Sequence, residues 1–186
     1  MRQYAEKIRQ WAKDRKIIPN STLEAQNLKL AEEFGELADS FRKYITTKED
    51  EKETREEYLK IIKDSVGDIF VVATILAGLL DKNIEELENL QNEYYKNEEN
   101  LKYSFMWLQS DIGDVAKSII RDKKDKLIDS VGNVVNDLEA FCRWQNLDFK
   151  ECISKSWNEI KYRKGILNEN GIFVKEEDLN KLEDLV

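Results

Sequence analysis

The sequence predicts an all-α protein, and three observations favour this fold class. Helix-breaking residues are rare, with 7 Gly and a single Pro in 186 residues. The composition is 41% hydrophobic and 37% charged, the balance of a globular chain with a buried core. Apolar residues recur at spacings of three, four or seven, which is typical of helices with one buried face. A chain of this length is expected to form one domain, residues 1–186.

Capping boxes and breaker residues indicate where each predicted helix begins and ends. Pro19 ends a first short helix, and Ser21 followed by Glu24 is a capping box that starts the second. Two further boxes of this kind pair Asn83 with Glu86 and Asp148 with Glu151. The helices predicted on these grounds cover about residues 4–15, 21–45, 56–80, 83–97, 103–120, 125–144 and 148–164.

The C-terminal region departs from this helical pattern. Gly165 is expected to stop the seventh helix, because glycine is the usual residue just past a helix end. Asn170 and Gly171, between GILNE and IFV, form a dipeptide typical of tight hairpin turns. The closing stretch EEDLNKLEDL then predicts a short last helix.

The chain also resembles itself. DSVGDIFVV at 64–72 recurs as DSVGNVVND at 129–137, and FGELADS at 34–40 recurs as IGDVAKS at 112–118. We predict a duplicated helical hairpin, with halves at about 22–97 and 103–164. Neither half could bury its apolar stripe alone, so a four-helix-bundle core with extra N- and C-terminal helices is expected. The sequence leaves open whether one chain completes this bundle or two chains form a homodimer.

Charge and residue content exclude several function classes. The net charge of −8 repels nucleic acid and anionic membranes, so neither is predicted as a partner. The absence of histidine excludes Ser-His and Cys-His triads and histidine-bearing zinc sites. Whatever chemistry the chain performs must use carboxylates, Lys, Arg and hydroxyl groups.

Cysteine spacing and hydropathy predict a cytoplasmic protein. Cys142 and Cys152 lack the CxxC spacing, and the N-terminus has no continuous apolar segment of the signal-peptide kind. The apolar run at 66–80 is shorter than the roughly 20 residues that span a bilayer. We therefore interpret this run as a core helix.

Asp68 stands out because it lies inside the apolar stretch KDSVGDIFVVATILAGLL. A buried carboxylate is costly unless a cation or hydrogen-bond donors accompany it. Asp64 shares its helix face, and Glu33 with Glu36 share a face of the preceding helix. Carboxylates on two adjacent helices predict a site for a hard cation, with Mg²⁺ the first choice and Mn²⁺ the second.

The second half carries a weaker version of this acid set. The residues at the matching positions are Asp111, Asp114, Asp129 and Asn133. Asn133 replaces the acid that corresponds to Asp68, and an amide coordinates or hydrogen-bonds without charge. We predict that the first half binds metal and that the chain contains one active site.

EEFGEL followed by GDIFVV resembles the MazG-like branch of the all-α NTP pyrophosphatase superfamily, whose pattern is ExxE on one helix and ExxD on the next. Glu33 and Glu36 match the first pair, and Asp68 matches the last acid. The remaining glutamate of the family falls at Ser65, which is a departure. Asp64 is expected to take over its role, as the KDxxGD sequence of phage-type MazG-like proteins indicates.

The resemblance implies Mg²⁺-dependent hydrolysis of a nucleoside triphosphate, often a deoxynucleotide, to the monophosphate and pyrophosphate, in nucleotide-pool control or house-cleaning. Glu32 is then the candidate to orient or deprotonate the attacking water. Substrate contacts are expected in the lead-in WAKDRKIIPNSTLEAQNLKLAEE, which is similar to that subfamily, and in IKYRKG, whose cations suit phosphates. These candidates are Arg15, Gln26, Lys29, Lys161, Arg163 and Lys164.

Other assignments stay open at this point. Arg121, Lys123 and Lys124 compete for the phosphates, and either Trp11 or Trp157 is a candidate to contact the base together with Gln26. Two other function classes also remain: a catalytically weak nucleotide- or metal-binding regulatory module of the same fold, and a purely structural helical bundle. Metal-dependent thermal stability distinguishes the last of these from the others.

Overall fold

The computed structural model describes residues 1–87 and 94–183, with side chains described up to residue 179. Short 3-10 turns and a two-stranded antiparallel sheet accompany the α-helices in these ranges. The all-α class predicted from composition and periodicity is confirmed. The elements are α1 Arg2–Asp14, α2 Ile17–Asn20, α3 Leu23–Thr46, α4 Lys52–Leu79, α5 Ser104–Ile120, α6 Lys124–Trp144, α7 Phe149–Ile160, β1 Gly165–Leu167, β2 Phe173–Lys175 and α8 Glu176–Glu183.

Helices α3 to α6 form the core. α3 packs mainly against α4 and α5 mainly against α6, while α4 also contacts α6 and α3 also contacts α5. These are the pairwise contacts of a four-helix bundle built within one chain. Fully buried side chains from all four helices fill its interior, among them Leu30, Leu37, Phe70, Leu76, Leu108, Val115, Val131 and Leu138.

α4 is buried on nearly every side because α1 and α7 cover the faces that α3 and α6 leave open. A helix surrounded in this way reads as a continuous apolar run, which is what residues 66–80 show. Gly67 permits the close approach of α7, since a Cβ there would overlap the side chain of Ser156 and the backbone oxygen of Cys152. This contact brings α7 beside Asp68.

The structure shifts one of the predicted helix caps by one residue and confirms another. Thr22, rather than Ser21, caps α3 by accepting a hydrogen bond from the backbone N of Ala25 at 3.0 Å. Ser21 is one residue too early and instead donates to the backbone oxygen of Gly171 at 2.6 Å. The cap predicted at Asp148 is confirmed, since its side chain accepts from the backbone N of Lys150 at 2.9 Å.

The helix predicted at 83–97 is wrong for the residues that the structure describes. Residues Ile84–Glu86 and Tyr94–Lys96 form 3-10 turns, and residues 88–93 lie outside the described ranges. Asn83 does not cap a backbone N–H. Its side chain is engaged by Arg9 of α1 and by the side chain of Glu86, so tertiary contacts replace the local cap.

The hairpin predicted near the C-terminus is confirmed, although its first strand begins where a helix stop was expected. α7 already ends at Ile160, and Gly165 pairs with Lys175 as part of the sheet. Gly171 has a φ of 75°, a conformation that glycine adopts without strain. The predicted closing helix is present as α8. Within the described residues, no helix combines the length and apolarity needed to cross a membrane.

Candidate functional site

A cavity of about 350 Å³ lies where α1, α3, α4 and the C-terminal hairpin meet. One end of it is polar and charged, and the other end is apolar and aromatic. The polar end is lined by Gln26, Lys29, Glu32, Glu33, Asp68 and Arg163. The apolar end is lined by Trp11, Ile17, Val71, Val72, Ile75 and Phe173.

These six residues were all predicted as site residues from the sequence, whereas Lys175 and Asp178, which also line the cavity, were not. Helical spacing explains the α3 residues, because positions 26, 29 and 33 fall on the face of α3 that looks toward α4. Asp68 lies opposite them on α4, and Arg163 follows the end of α7. The structure therefore brings together residues that are 137 positions apart at most, between Gln26 and Arg163.

Glu33 is the buried acid of this group, with 5% of its surface exposed. Lys29 Nζ lies 2.7 Å from its carboxylate and 2.9 Å from that of Glu32. Burial raises the pKa of Glu33, and the charges of Glu36 and Glu32 add to this rise while Lys29 opposes it. Burial lowers the pKa of Lys29, but its hydrogen bonds to the two glutamates outweigh this effect and the net shift is upward.

Asp68 carries the clearest electrostatic strain at the site. Burial, followed by the negative charge of Glu33, raises the pKa of Asp68 to about 7. Asp64 adds to the rise, whereas a hydrogen bond from Ser156 and the charge of Arg163 reduce it. The positive groups near Asp68 therefore do not compensate its charge, and a bound cation would stabilise its ionised form.

Asp64 and Glu36 do not line the cavity, but their charges raise the pKa values of Asp68 and Glu33, respectively. Lys155 Nζ lies 3.1 Å from Asp64 Oδ1 without making a hydrogen bond to it. Burial and then the charge of Asp64 raise the pKa of Glu159, and the two side chains also share a hydrogen bond. The acidic side chains of α3, α4 and α7 therefore lie close enough to raise one another's pKa values.

Ser156 and Glu159 do not line the cavity but interact with Asp68 and Asp64, and the sequence analysis missed both. Both lie on α7, in the stretch SWNEI, which has no apolar run that would single out a buried polar residue. They reach α4 because the helices approach closely at Gly67. That glycine, inside an otherwise apolar helix, was the available signal.

The donor chemistry of the site fits the predicted Mg²⁺, but its geometry is not that of a preformed cage. Among the described residues, no three acidic or cysteine side chains are arranged to hold a metal ion. Glu33 and Asp68 face one cavity, and the charge of Asp68 is poorly compensated, which suits a hard cation with oxygen ligands. Lys29 supplies the positive charge beside Glu33 in this structure. Glu36 and Asp64 stay predicted ligands at the edge of the site.

Three of the predicted substrate contacts are not in the cavity. Arg15 Nε donates to the backbone oxygen of Arg163 at 2.6 Å, and its guanidinium lies over the Trp11 ring at 4.9 Å. Lys164 lines a neighbouring cleft together with Arg15, and Lys161 Nζ bonds to Asn158. Arg15 therefore positions Trp11 and the segment after α7.

The structure distinguishes the alternative base- and phosphate-binding residues that the sequence left open. Trp11 lines the cavity, and Trp157 is not among its lining residues. Arg121 and Lys123 line a different cavity, of about 240 Å³, together with Lys117 and Lys126. Lys124 is not among the residues of either cavity.

The second half contains a polar cluster of its own, which is closed. Asn133 Nδ2 lies 3.4 Å from Asp111 Oδ1, so the residues matching Asp68 and Glu33 face each other here too. Asp137, with 0% exposure, accepts a hydrogen bond of 2.7 Å from the Tyr95 hydroxyl. Burial raises the pKa of Asp137 to about 9, and its hydrogen bond to Asp111 adds to the rise.

Comparison with known proteins links part of this chain to a phage protein. A stretch of 77 residues is 43% identical to an uncharacterized 18.2 kDa protein in the rep-hol intergenic region of Haemophilus phage HP1. The match covers 41% of this chain and 39% of that protein, so the chain spans about two fifths of the length of this relative. No family model matches, and no solved structure matches.

Proposed function

We propose that this protein is a Mg²⁺-dependent nucleoside triphosphate pyrophosphohydrolase, similar to the MazG-like enzymes and acting preferentially on deoxynucleotides. The observation that supports this proposal is the cavity itself. Its charged end combines the carboxylates of Glu33 and Asp68 with the guanidinium of Arg163, and its other end is apolar and aromatic. A nucleotide has the same two parts, a phosphate chain that needs cations and a planar base that needs apolar walls.

Each residue of the charged end has a role in this reaction. Glu33 and Asp68 would hold the metal, with Glu36 and Asp64 at its edge. The bound ion would supply charge neutralisation on the phosphates and a more acidic water. Arg163 offers a planar fork of donors to the phosphate oxygens. Glu32 lines the cavity beside Glu33 and is placed to accept the proton of a water molecule.

Lys29 has to change partners for this reaction to occur. Its ammonium now neutralises Glu32 and Glu33, and a divalent ion beside Glu33 would repel it. The released ammonium would remain on the cavity wall, within reach of a phosphate oxygen. Glu33 would thereby exchange the ammonium of Lys29 for the metal, and Glu32 would become free to accept a proton.

Product analysis tests this function directly. The protein is incubated in Mg²⁺ with a panel of ribo- and deoxynucleoside triphosphates, alongside Asp68→Asn and, as the same substitution in the second half, Asp129→Asn at the position that matches Asp64. Monophosphate plus pyrophosphate, lost in Asp68→Asn and kept in Asp129→Asn, is the expected result. Diphosphate plus phosphate would show that a different bond is attacked.

A regulatory nucleotide-binding module is the second candidate. Ser65 occupies the position of a family glutamate, and the described residues contain no ready group of three metal ligands. Tight nucleotide binding without turnover, together with a gain of activity in Ser65→Glu, would favour this function. The homodimer that the sequence left open is checked by light scattering in the same preparations.

A further inference from the structure

Trp11 contains a buried hydrogen-bond donor that has no partner in the protein. The side chain is 6% exposed, and its Nε1 atom makes no hydrogen bond. Buried polar groups are nearly always paired, so an unpaired one calls for an explanation. Trp11 also lines the 350 Å³ cavity, so a ligand bound there is a candidate for the missing partner.

The indole ring is contacted by Arg15 and Phe173. The Arg15 guanidinium lies over one side of the ring at 4.9 Å, and Phe173 meets the ring edge-on at 5.9 Å. Arg15 is itself tied to the backbone oxygens of Arg163 and Lys161 at 2.6 and 3.3 Å. Such support fixes the direction of the N–H before any ligand arrives.

A second polar side chain in the same cavity is also held in one orientation. Gln26 Nε2 donates to Ser21 Oγ at 2.9 Å, and Ser21 Oγ donates to the backbone oxygen of Gly171 at 2.6 Å. This chain of hydrogen bonds links α3 to the turn of the C-terminal hairpin. The hairpin therefore orients Gln26 and, through Phe173, packs against Trp11.

We propose that the apolar end of the cavity is the base-binding subsite and that the Trp11 N–H donates a hydrogen bond to an acceptor atom on the base. The ligand class is a planar heteroaromatic base with a ring-nitrogen or carbonyl acceptor at its edge, with Val71, Val72 and Ile75 as its apolar walls. Trp11 is thus a specificity-determining residue. This inference deepens the proposed function, but it concerns binding and does not depend on hydrolysis.

Equilibrium binding of a non-hydrolysable α,β-imido triphosphate analogue tests the proposal, using the nucleoside that wild type binds best. Trp11→Phe keeps one aromatic ring and removes the donor together with the five-membered ring that carries it, while Trp157→Phe makes the same change outside the cavity. Loss of one neutral hydrogen bond is expected to weaken binding about tenfold in Trp11→Phe. Trp157→Phe is expected to bind like wild type.

Inorganic tripolyphosphate, which has no base, separates the two ends of the site. Its affinity should be the same in wild type and Trp11→Phe, because the variant leaves the charged end unchanged. Equal weakening of nucleotide and tripolyphosphate would overturn the inference, as would unaltered nucleotide binding in Trp11→Phe or no nucleotide binding by wild type. Binding with the tenfold loss, but without turnover, would leave the inference standing and remove the hydrolase proposal.

Discussion

The two halves of the molecule carry related acid pairs with opposite outcomes. In the first half, Glu33 and Asp68 face a cavity, and although Lys29 pairs with Glu33, the charge of Asp68 is poorly compensated. In the second half, the matching pair of Asp111 and Asn133 lies beside Asp137, beneath Tyr95. One cluster is therefore open to an external cation, whereas the other satisfies itself with internal protons and hydrogen bonds.

A single residue type explains much of this difference. Asn133 donates to Asp111, whereas Asp68 in its ionised form repels Glu33. Asp137 then holds its proton because it is fully buried and adjoins a second carboxyl group. Two facing acids on neighbouring helices, such as Glu33 and Asp68, need a cation to compensate their charge. A facing acid and amide, such as Asp111 and Asn133, do not.

The largest expected effect is on activity. Asp68→Asn should lower kcat/KM by about 100-fold or more, since several kcal/mol of charge stabilisation are lost with one metal ligand. The variant should unfold at the same temperature as wild type or higher, because a poorly compensated buried charge is removed. Steady-state kinetics and thermal unfolding measure both. The reciprocal variant Asn133→Asp should leave activity unchanged, and a second active site there would contradict the division between the halves.

Magnesium should stabilise the first half alone. At about 100 times the dissociation constant, a ligand adds roughly 2.7 kcal/mol to the free energy of unfolding. We expect Mg²⁺ to raise the free energy of unfolding by about this amount in wild type and in Asp137→Asn. In Glu33→Gln, Mg²⁺ should produce no such gain. Urea unfolding with and without Mg²⁺ measures the difference. A gain that survives Glu33→Gln would locate the ion elsewhere.

The pH dependence of stability should report the second half. The pKa of Asp137 is raised to about 9, so the folded state binds more protons than the unfolded state between about pH 4 and pH 9. Stability contributed by this group is present below the unfolded pKa and falls as the pH rises toward 9. Asp137→Asn removes that titration and should be more stable than wild type at pH 8 by about 2 kcal/mol or more. If the free energies of unfolding of wild type and Asp137→Asn change in parallel from pH 5 to pH 9, Asp137 is not the group that causes the pH dependence.

Short-range patterns in the sequence were sufficient for most of the helices and for the acids of α3 and α4. Helical spacing places Gln26, Lys29 and Glu33 on one face, and the apolar run around Asp68 indicates burial. The repeat, however, aligns Asp137 with apolar Val72, so the second cluster was not predicted. It depends on Tyr95, whose contact with α6 joins residues far apart in sequence.

Long-range contacts also account for the other differences. Arg15 was predicted to bind substrate, but in the folded chain two backbone oxygens beyond α7 accept its hydrogen bonds. Glu159 enters the site because α7 packs closely on α4 at Gly67. Such pairings depend on how whole helices dock, and a single sequence carries little information about that step.

The smallest expected effect concerns the hydroxyl group that covers the second cluster. Tyr95→Phe removes the 2.7 Å hydrogen bond to Asp137 and leaves the ring in place. A net loss of about 1 kcal/mol in unfolding free energy is expected at pH 6, where Asp137 is protonated. The loss should grow above pH 9, because the hydroxyl then stabilises a carboxylate rather than an acid. A Tyr95→Phe effect that is independent of pH, measured by urea unfolding at pH 6 and pH 9.5, would mean that the proton on Asp137 plays no part in closing the second half.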